Sequence, residues 1–458
     1  MQSNGTRQIC RGVVRRREFL RIGALGMGGL CLPDLLAAQA ASGNTRPHTS
    51  VILFWMWGGP SQLETWDMKP DASTEYRGPF RPISTNVPGL DICELFPLQA
   101  RQAHRFSLIR SLHHEMSSHN DGSIELLTGK TPTRADPTST ARSEHPDLGM
   151  VASRIRDRHP TGMPQYVGIP TKPFMTDPTY LGLSHSAYVT GDPSVAKFRP
   201  PNLTVDAGPN ASRLEDRRWL VGQLDRLQSA RDVNGMFDGQ DRFREQAFQL
   251  LGSNAVSRAF DLDSESPLLR DRYGRTLWGQ SCLLARRLAE AGTAVITIDA
   301  LAPKAGMPLY FSWDDHANAQ PGWDMAQGMK LRATDMDPAL STLIDDLYDR
   351  GLDQQVMVVA VGEFGRTPRL SHANGCLGRD HWPQAQSALV SGGGLRMGQV
   401  VGATNSKAEH PTEHPYSPQD LLATIYRHLG IDPHQTFTDF AGRPIPILSD
   451  GAPIRELI

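Results

Sequence analysis

Carboxylate and imidazole side chains gather in four short stretches of this chain, and each stretch follows an apolar run. Glu64 and Asp67 lie beyond the first run, and His113, His114, Glu115 and His119 lie beyond the second. Asp314 and His316 lie beyond the third, and Glu363, Asp380 and His381 beyond the fourth. Carboxylates mixed with neutral imidazoles suit Zn, Mn or Fe, whereas Ca and Mg favour oxygen alone. In Asp314-x-His316 an extended backbone puts both side chains on one face, because alternate residues of a strand share a side. Any single histidine is more often a satisfied polar residue than a ligand. Four such clusters, each at the end of an apolar run, point instead to one shared metal centre. The dense segment 113–123 has a plainer reading too, as a helix start with Asn120 or Asp121 as N-cap, and Asp380 beside Arg379 has one as a loop ion pair.

To deliver these groups to one place, the apolar runs must be neighbouring strands. Ser50 to Trp57 (SVILFWMW) stops at Gly58-Gly59-Pro60-Ser61, and Phe106 to Leu112, Thr293 to Ile298 and Val356 to Val361 are of the same kind. Continuous apolar, β-branched runs of this length predict strands buried on both faces. Between them the spacing predicts helices. Leu95 to Ala103 is a short one, and a helical segment covers about 212–292. Its Leu214, Leu220, Leu224 and Leu227 form one stripe, and Arg270 to Ala291 is closed by Gly292. Asp335 to Arg350 and Pro418 to Leu429 follow. Helix, glycine and β-branched strand in repeated order predict an α/β fold, with a central, mostly parallel sheet and helices on both faces. In such sheets ligands bind beyond the carboxyl ends of the strands, where the four clusters fall. Residues 131–205, rich in Pro, Gly and Ser, predict long loops with short strands. Gly392 to Gly394 lacks the Lys and helix of a phosphate cradle and reads as a turn.

Of the 458 residues 39% are hydrophobic and 21% charged, with a formal net charge of -2. That balance gives no electrostatic case for nucleic acid or an anionic membrane surface. The first 40 residues read as an export signal: Arg15-Arg16-Arg17-Glu18-Phe19-Leu20 matches the twin-arginine pattern, Ile22 to Leu32 is too short to span a bilayer, and Ala38-Gln39-Ala40 supplies a cleavage site. Residues 41–49 then form a linker, 50–440 one domain and 441–458 a tail. After cleavage no segment remains for stable membrane insertion, so the expected location is periplasmic or extracellular. Cys93, Cys282 and Cys376 are odd in number and widely spaced, and set no disulfide framework.

Leu126 to Lys130 (LLTGK), Trp313-Asp-x-His316, VVAVGEFGRTP, Gly378 to Trp382 (GRDHW) and the terminal DLLATIYRHLGI together resemble the alkaline phosphatase superfamily. Within it the chain is most similar to the exported, sulfatase-like domain-of-unknown-function family 1501, over roughly residues 50–432. The resemblance implies an alkaline-phosphatase-like sandwich whose metal site hydrolyses phosphate or sulfate esters, with Zn or Mn as the cofactor, one or two per chain. It implies that Asp314, His316 and His381 hold one metal. Glu363 stands where a second site has its Asp, and Phe364 where that site has a His. Trp57 or Gly58 replaces the first-strand Asp, and His119 falls at the position of the nucleophile. His119 is therefore a candidate both as ligand and as nucleophile, with Ser117, Ser118 and Ser123 as alternative nucleophiles. A second site could be rebuilt from His119, Glu363 and Glu64 or Asp67. Arg366 or Lys130 would clamp the transferred group. Two functions follow: a hydrolase of small-molecule or polysaccharide esters, or a non-catalytic binding protein that keeps the fold, with or without one metal.

Overall fold

The computed structural model describes residues 49–157, 159, 161–201, 253–300, 312–318 and 322–458. The export signal and the helix expected around Leu214 to Leu227 lie outside the described residues.

The frame is an eight-stranded sheet. In chain order its strands are β1 (Ser50–Trp55), β2 (Phe106–Leu112), β3 (Tyr166–Ile169), β4 (Tyr188–Val189), β5 (Val295–Asp299), β6 (Val356–Val361), β7 (Gln386–Gly392) and β8 (Val400–Val401). Their spatial order is β8-β2-β7-β6-β1-β5-β3-β4. All neighbours run parallel except β7, which is antiparallel to both β2 and β6. The sheet is thus mostly parallel, as the sequence implies.

Among the described residues, the helices that cover it include α1 (His119–Thr128), α2 (Leu148–Arg156), α3 (Leu277–Glu290), α4 (Met325–Asp349) and α5 (Pro418–Leu429). Alternation along β1 shows how the layers form. Ile52 and Phe54 point into one core with Leu283, Leu284 and Leu288 of α3 and Leu340, Leu343 and Ile344 of α4. Val51, Leu53 and Trp55 point into the other, with Ile124 and Leu127 of α1, Val151 of α2 and Leu421, Leu422 and Ile425 of α5. A strand that is apolar on both faces is what two helical layers require. Burying one such side chain stabilises by roughly 1.5–3 kcal/mol, so β1 and β6, buried along their whole length, anchor the molecule.

Three elements differ from expectation. The helix expected from Asp335 begins at Met325 and carries Pro338 inside it. Its apolar stripe is weak in the first turns, where Asp324 caps the end through Gln327. The helix expected over Arg270 to Ala291 is two, because Gly274 ends Pro267–Tyr273 and Thr276 caps α3. The stretch 441–458 is no loose tail: Ile447, Leu448, Ile454 and Leu457 are buried in the α5-side core. His185 is buried, its Nδ1 3.3 Å from Ser153 Oγ.

Candidate metal centre

β1 and β6 lie side by side, and both release the chain at the same edge. Beyond β1 the Gly58-Gly59 turn takes positive φ at both residues. Gly58 is bare for a reason: a Cβ there would lie 2.4 Å from the Asp314 nitrogen. The loop bearing Asp314 therefore lies directly on the turn, with Trp313 N–H donating to the Trp57 carbonyl at 2.9 Å. Beyond β6 a two-residue ribbon pairs Gly365–Arg366 with His381–Trp382 and sets His381 opposite Arg366. Segment 113–123 enters from β2. Ser118 caps α1 by accepting from Asp121 N–H at 3.3 Å, which makes Ser118 the N-cap, not Asn120 or Asp121.

These loops converge on the Asp314 carboxylate. Its Oδ1 lies 3.0 Å from His316 Nε2 and 3.3 Å from His381 Nε2, and its Oδ2 lies 3.3 Å from His119 Nε2. His316 Nε2 and His381 Nε2 are 3.0 Å apart. Donors of His119, Asp314 and His381 all fall within 4.8 Å of one another. A tetrahedral ion with bonds of ~2.0–2.1 Å has donor–donor edges of about 3.3–3.4 Å. The Asp314–His316–His381 set, with separations of 3.0, 3.0 and 3.3 Å, fits that shape closely.

What orients the imidazoles is as informative. His119 Nδ1 meets Glu363 Oε1 at 2.7 Å, His316 Nδ1 meets Asp380 Oδ1 at 2.7 Å, and His381 Nδ1 meets the Ser117 carbonyl at 2.7 Å. Each of these partners only accepts, so each Nδ1 carries a proton, and Nε2 is the nitrogen that each ring turns towards Asp314. That is the outer-shell arrangement of metal-binding histidines. Arg366, fully buried, donates to the carbonyls of Gly58, Gly59 and Arg379 and to Asp314 Oδ1 at 2.7 Å.

Charge follows from the geometry. Burial disfavours ionisation of Asp314, but hydrogen bonds from the three histidines and the Arg366 charge hold it far below the usual carboxylate range. Burial also works against a charged His119, yet bonds to Asp314 and Glu363 outweigh it and push the ring up to about 9. His316 is raised, first by its bond to Asp314, while burial lowers His381. The metal-free protein therefore holds a proton on His119 at neutral pH, and that proton must leave before Nε2 can coordinate. If His119 joins the ion, binding at pH 7.5 is expected to release about one proton per ion, falling towards zero above pH 9. Calorimetry in buffers of different ionisation enthalpy measures this. Ion affinity should weaken as pH falls, because protons then compete for the same nitrogens.

Several expected site residues stand elsewhere. Glu363 is fully buried behind His119, where Oε1 also accepts Gly58 N–H at 2.8 Å, so its contact is with the ligand ring. Asp380 likewise backs His316 and does not join the converging donors. Glu64 is taken up by Arg379 at 2.8 Å, and Asp67 by Lys69 at 2.9 Å, so neither builds a second site. Ser123 is fully buried in α1 and cannot meet a substrate. Lys130 lies past the far end of α1, about 15 Å along the axis from His119 at 1.5 Å per residue, and donates to Ser449 Oγ at 2.8 Å. Arg366 directs four of its five donors at carbonyls and Asp314 and is fully buried, so it positions the carboxylate and presents no face with which to clamp a substrate. Ser123→Ala and Lys130→Ala are expected to leave metal content unchanged, checked by elemental analysis. The Ser117 carbonyl and the Gly58 N–H were not foreseen, since backbone groups carry no residue-type signal; only the paired glycines hinted at a close approach.

The fold's distant likenesses among solved structures include a sulfatase, a phosphonate monoester hydrolase and a periplasmic domain. PsFucS1 sulfatase from Pseudoalteromonas sp. is 12% identical over 87% of this chain and 70% of its own, with a TM-score of 0.38. Phosphonate monoester hydrolase of Agrobacterium radiobacter is 12% identical over 88% and 78%, at 0.32. The C-terminal periplasmic domain of EcEptC from Escherichia coli, solved in complex with Zn, is 10% identical over 91% and 93%, at 0.34. No curated protein matches the chain. The family model described as protein of unknown function DUF1501 matches residues 48–458, and the chain belongs to that family.

Proposed function

We propose that the protein is an exported, metal-dependent hydrolase of phosphate or sulfate esters. The observation that carries this reading is the set of three imidazoles whose Nδ1 atoms are all committed to acceptors while their Nε2 atoms converge on Asp314. Asp314, His316 and His381 would hold a divalent ion such as Zn or Mn. Bound there, it would supply Lewis-acid polarisation of the ester oxygen and a water of lowered pKa.

The chain's own groups divide the remaining work. Arg366 keeps Asp314 ionised and fixed. Asp380 and the Ser117 carbonyl hold the two outer imidazoles in register. His119, charged at neutral pH and 3.3 Å from Asp314, is placed to give a proton to a leaving oxygen beside the carboxylate. Trp57 and Phe364 flank it and shield that proton from bulk water. Solvent reaches the other donors more readily: the side chains of Asp314, His316 and His381 are 24, 31 and 21% exposed, against 11% for His119. The twin-arginine pattern supports export, and no helix among the described residues is long and apolar enough to cross a membrane.

Elemental analysis of the mature protein beside His316→Ala, followed by a screen of phosphate and sulfate esters, tests the reading. Metal lost in the variant together with turnover in the wild type supports it. No metal in the wild type overturns it. Metal without turnover leaves the binding-protein function, in which the same centre serves recognition.

A further inference from the structure

Arg379 stands two residues before His381, and its side chain forms a wholly buried ion pair with Glu64. Glu64 Oε2 accepts from Arg379 Nε at 2.9 Å, and Oε1 accepts from Nη2 at 2.8 Å. The remaining donors reach the carbonyls of Tyr76 at 2.7 Å, Thr367 at 2.9 Å and Pro368. All five N–H groups of the fork therefore have acceptors, drawn from three stretches of chain. Gly78 closes over the pair: it has φ +75, and a Cβ there would lie 2.0 Å from Glu64 Oε1. A buried ion pair adds little net stability, because desolvation of two charges offsets most of their attraction. A rigid fork with five directed bonds fixes geometry instead.

What it fixes is the backbone of Arg379. Its N–H donates to the Asp315 carbonyl at 2.8 Å, and Asp315 sits between Asp314 and His316. Its carbonyl accepts from Arg366 Nη1 at 3.0 Å, and Arg366 Nη2 holds Asp314 Oδ1 at 2.7 Å. Next along the chain Asp380 backs His316, and His381 itself follows. Gln62, from the same turn as Glu64, holds the other strand of the ribbon: its side-chain amide accepts Arg366 N–H at 2.8 Å and donates to the Arg366 carbonyl at 2.9 Å. We propose that Glu64 and Arg379 are positioning residues of the metal centre, a pair that sets the 3.0–3.3 Å separations of Asp314, His316 and His381 without touching the ion. That role rests on the metal reading of the centre, whereas the seating of the rings is there without an ion. Without the Glu64 charge Arg379 loses its tie to the β1 turn, and the ribbon is free to slide against Asp315.

Two measurements on the full mature chain test this: Co(II) binding followed by its visible spectrum, and the imidazole Nδ1–H resonances of the metal-free protein. Glu64→Gln removes the charge at nearly constant volume, and Arg379→Lys keeps the charge but replaces the fork by a compact ammonium. Glu265→Gln is the control, since Glu265 pairs with the buried Arg286 of α3 at 2.6 Å. In Glu64→Gln and Arg379→Lys, Co(II) affinity is expected to fall about 10–100-fold, the range for supports behind metal-bound histidines, with altered ligand-field bands. The Nδ1–H signals of His316 and His381, held by Asp380 and the Ser117 carbonyl, should be lost to solvent exchange. Glu265→Gln should lose stability alone, read by chemical denaturation. Wild-type affinity and ring signals in a folded variant of the pair overturn the role. Equal losses in the control overturn it too, since any buried pair would then serve. So does failure of both variants to fold where Glu265→Gln folds, because the pair then holds the domain and not the centre. If the wild type takes up no Co(II), the metal reading fails and the ring signals decide alone. Lost only in the variants of the pair, they support it as what seats the imidazoles; retained there, or absent from the wild type, they overturn it.

Discussion

Asp314→Asn is expected to empty the metal centre while leaving the fold in place. Asn keeps the volume and planar shape of the carboxylate but removes the one charge on which three imidazoles and a buried guanidinium converge. Changing an outer-shell partner of a metal-bound histidine weakens binding by roughly 10–100-fold. Losing the central anionic ligand should exceed that range, so micromolar Zn or Mn no longer loads the protein. Arg366 keeps its three carbonyl acceptors, and the stability lost should therefore sit near the low end of the ~3–5 kcal/mol that breaking a buried ion pair costs. His119 offers an independent readout. It stands at about 9 because two carboxylates outweigh its burial. With only Glu363 left beside it, its titration should move down towards the ordinary imidazole range, visible by NMR of the ring protons in metal-free protein. Wild-type ion affinity in this variant would sink the assignment of Asp314 as the common ligand.

The same residue shows why part of the site is readable in the sequence and part is not. Asp314-x-His316 and Gly378 to Trp382 announce themselves because their residue types suit metal chemistry and because each lies downstream of an apolar run. Strand ends fix where such residues go. They do not fix which atom faces which. Glu363 and Asp380 have the right chemistry and the right place, yet each touches the back of an imidazole, and only the packed rings of His119 and His316 reveal that. Lys130 fails for a different reason. α1 begins at His119 under the Ser118 cap, several residues before its apolar stretch at Ile124, and a full helix then separates two residues that looked close in the sequence. Arg366 misleads because a buried arginine that organises carbonyls looks, in sequence, like one that awaits an anion. The strands themselves were legible nearly to the residue: Phe106–Leu112, Val356–Val361 and the helix Pro418–Leu429 stand as their patterns imply. Continuous apolar runs and a Ser-Pro helix start leave little freedom. The helix from Met325 was underestimated because its first ten residues lack a strong stripe and are held by the Asp324 cap and by Arg332, which pairs with the buried Asp315.

The second large effect is expected at a residue with no chemistry of its own. Gly58→Ala should cost about 3 kcal/mol or more and abolish metal loading together with it. Gly58 has φ +106, a conformation that L side chains rarely adopt, and an added methyl would lie 2.4 Å from the Asp314 nitrogen and 2.6 Å from the Trp313 nitrogen. Both obstacles are backbone, so no rotamer change relieves them. Overpacking of this kind typically costs ~1–3 kcal/mol, and the left-handed conformation adds roughly 1–2 kcal/mol. The relief available is for the Trp313–Asp314 segment to shift away from the β1 turn. Such a shift breaks the Trp313 N–H to Trp57 carbonyl bond of 2.9 Å and draws Asp314 away from His381. Gly89→Ala is the matched control: it has φ +80 but nothing within 4 Å of the added carbon. It should show the conformational part alone, about 1 kcal/mol, with full metal content. Chemical denaturation and elemental analysis of the two variants separate strain from collision. If Gly58→Ala binds metal as the wild type does, the close seating of the Asp314 loop on the β1 turn is not what holds the centre together; if it folds but stays empty, the glycine is there to let one backbone rest on another.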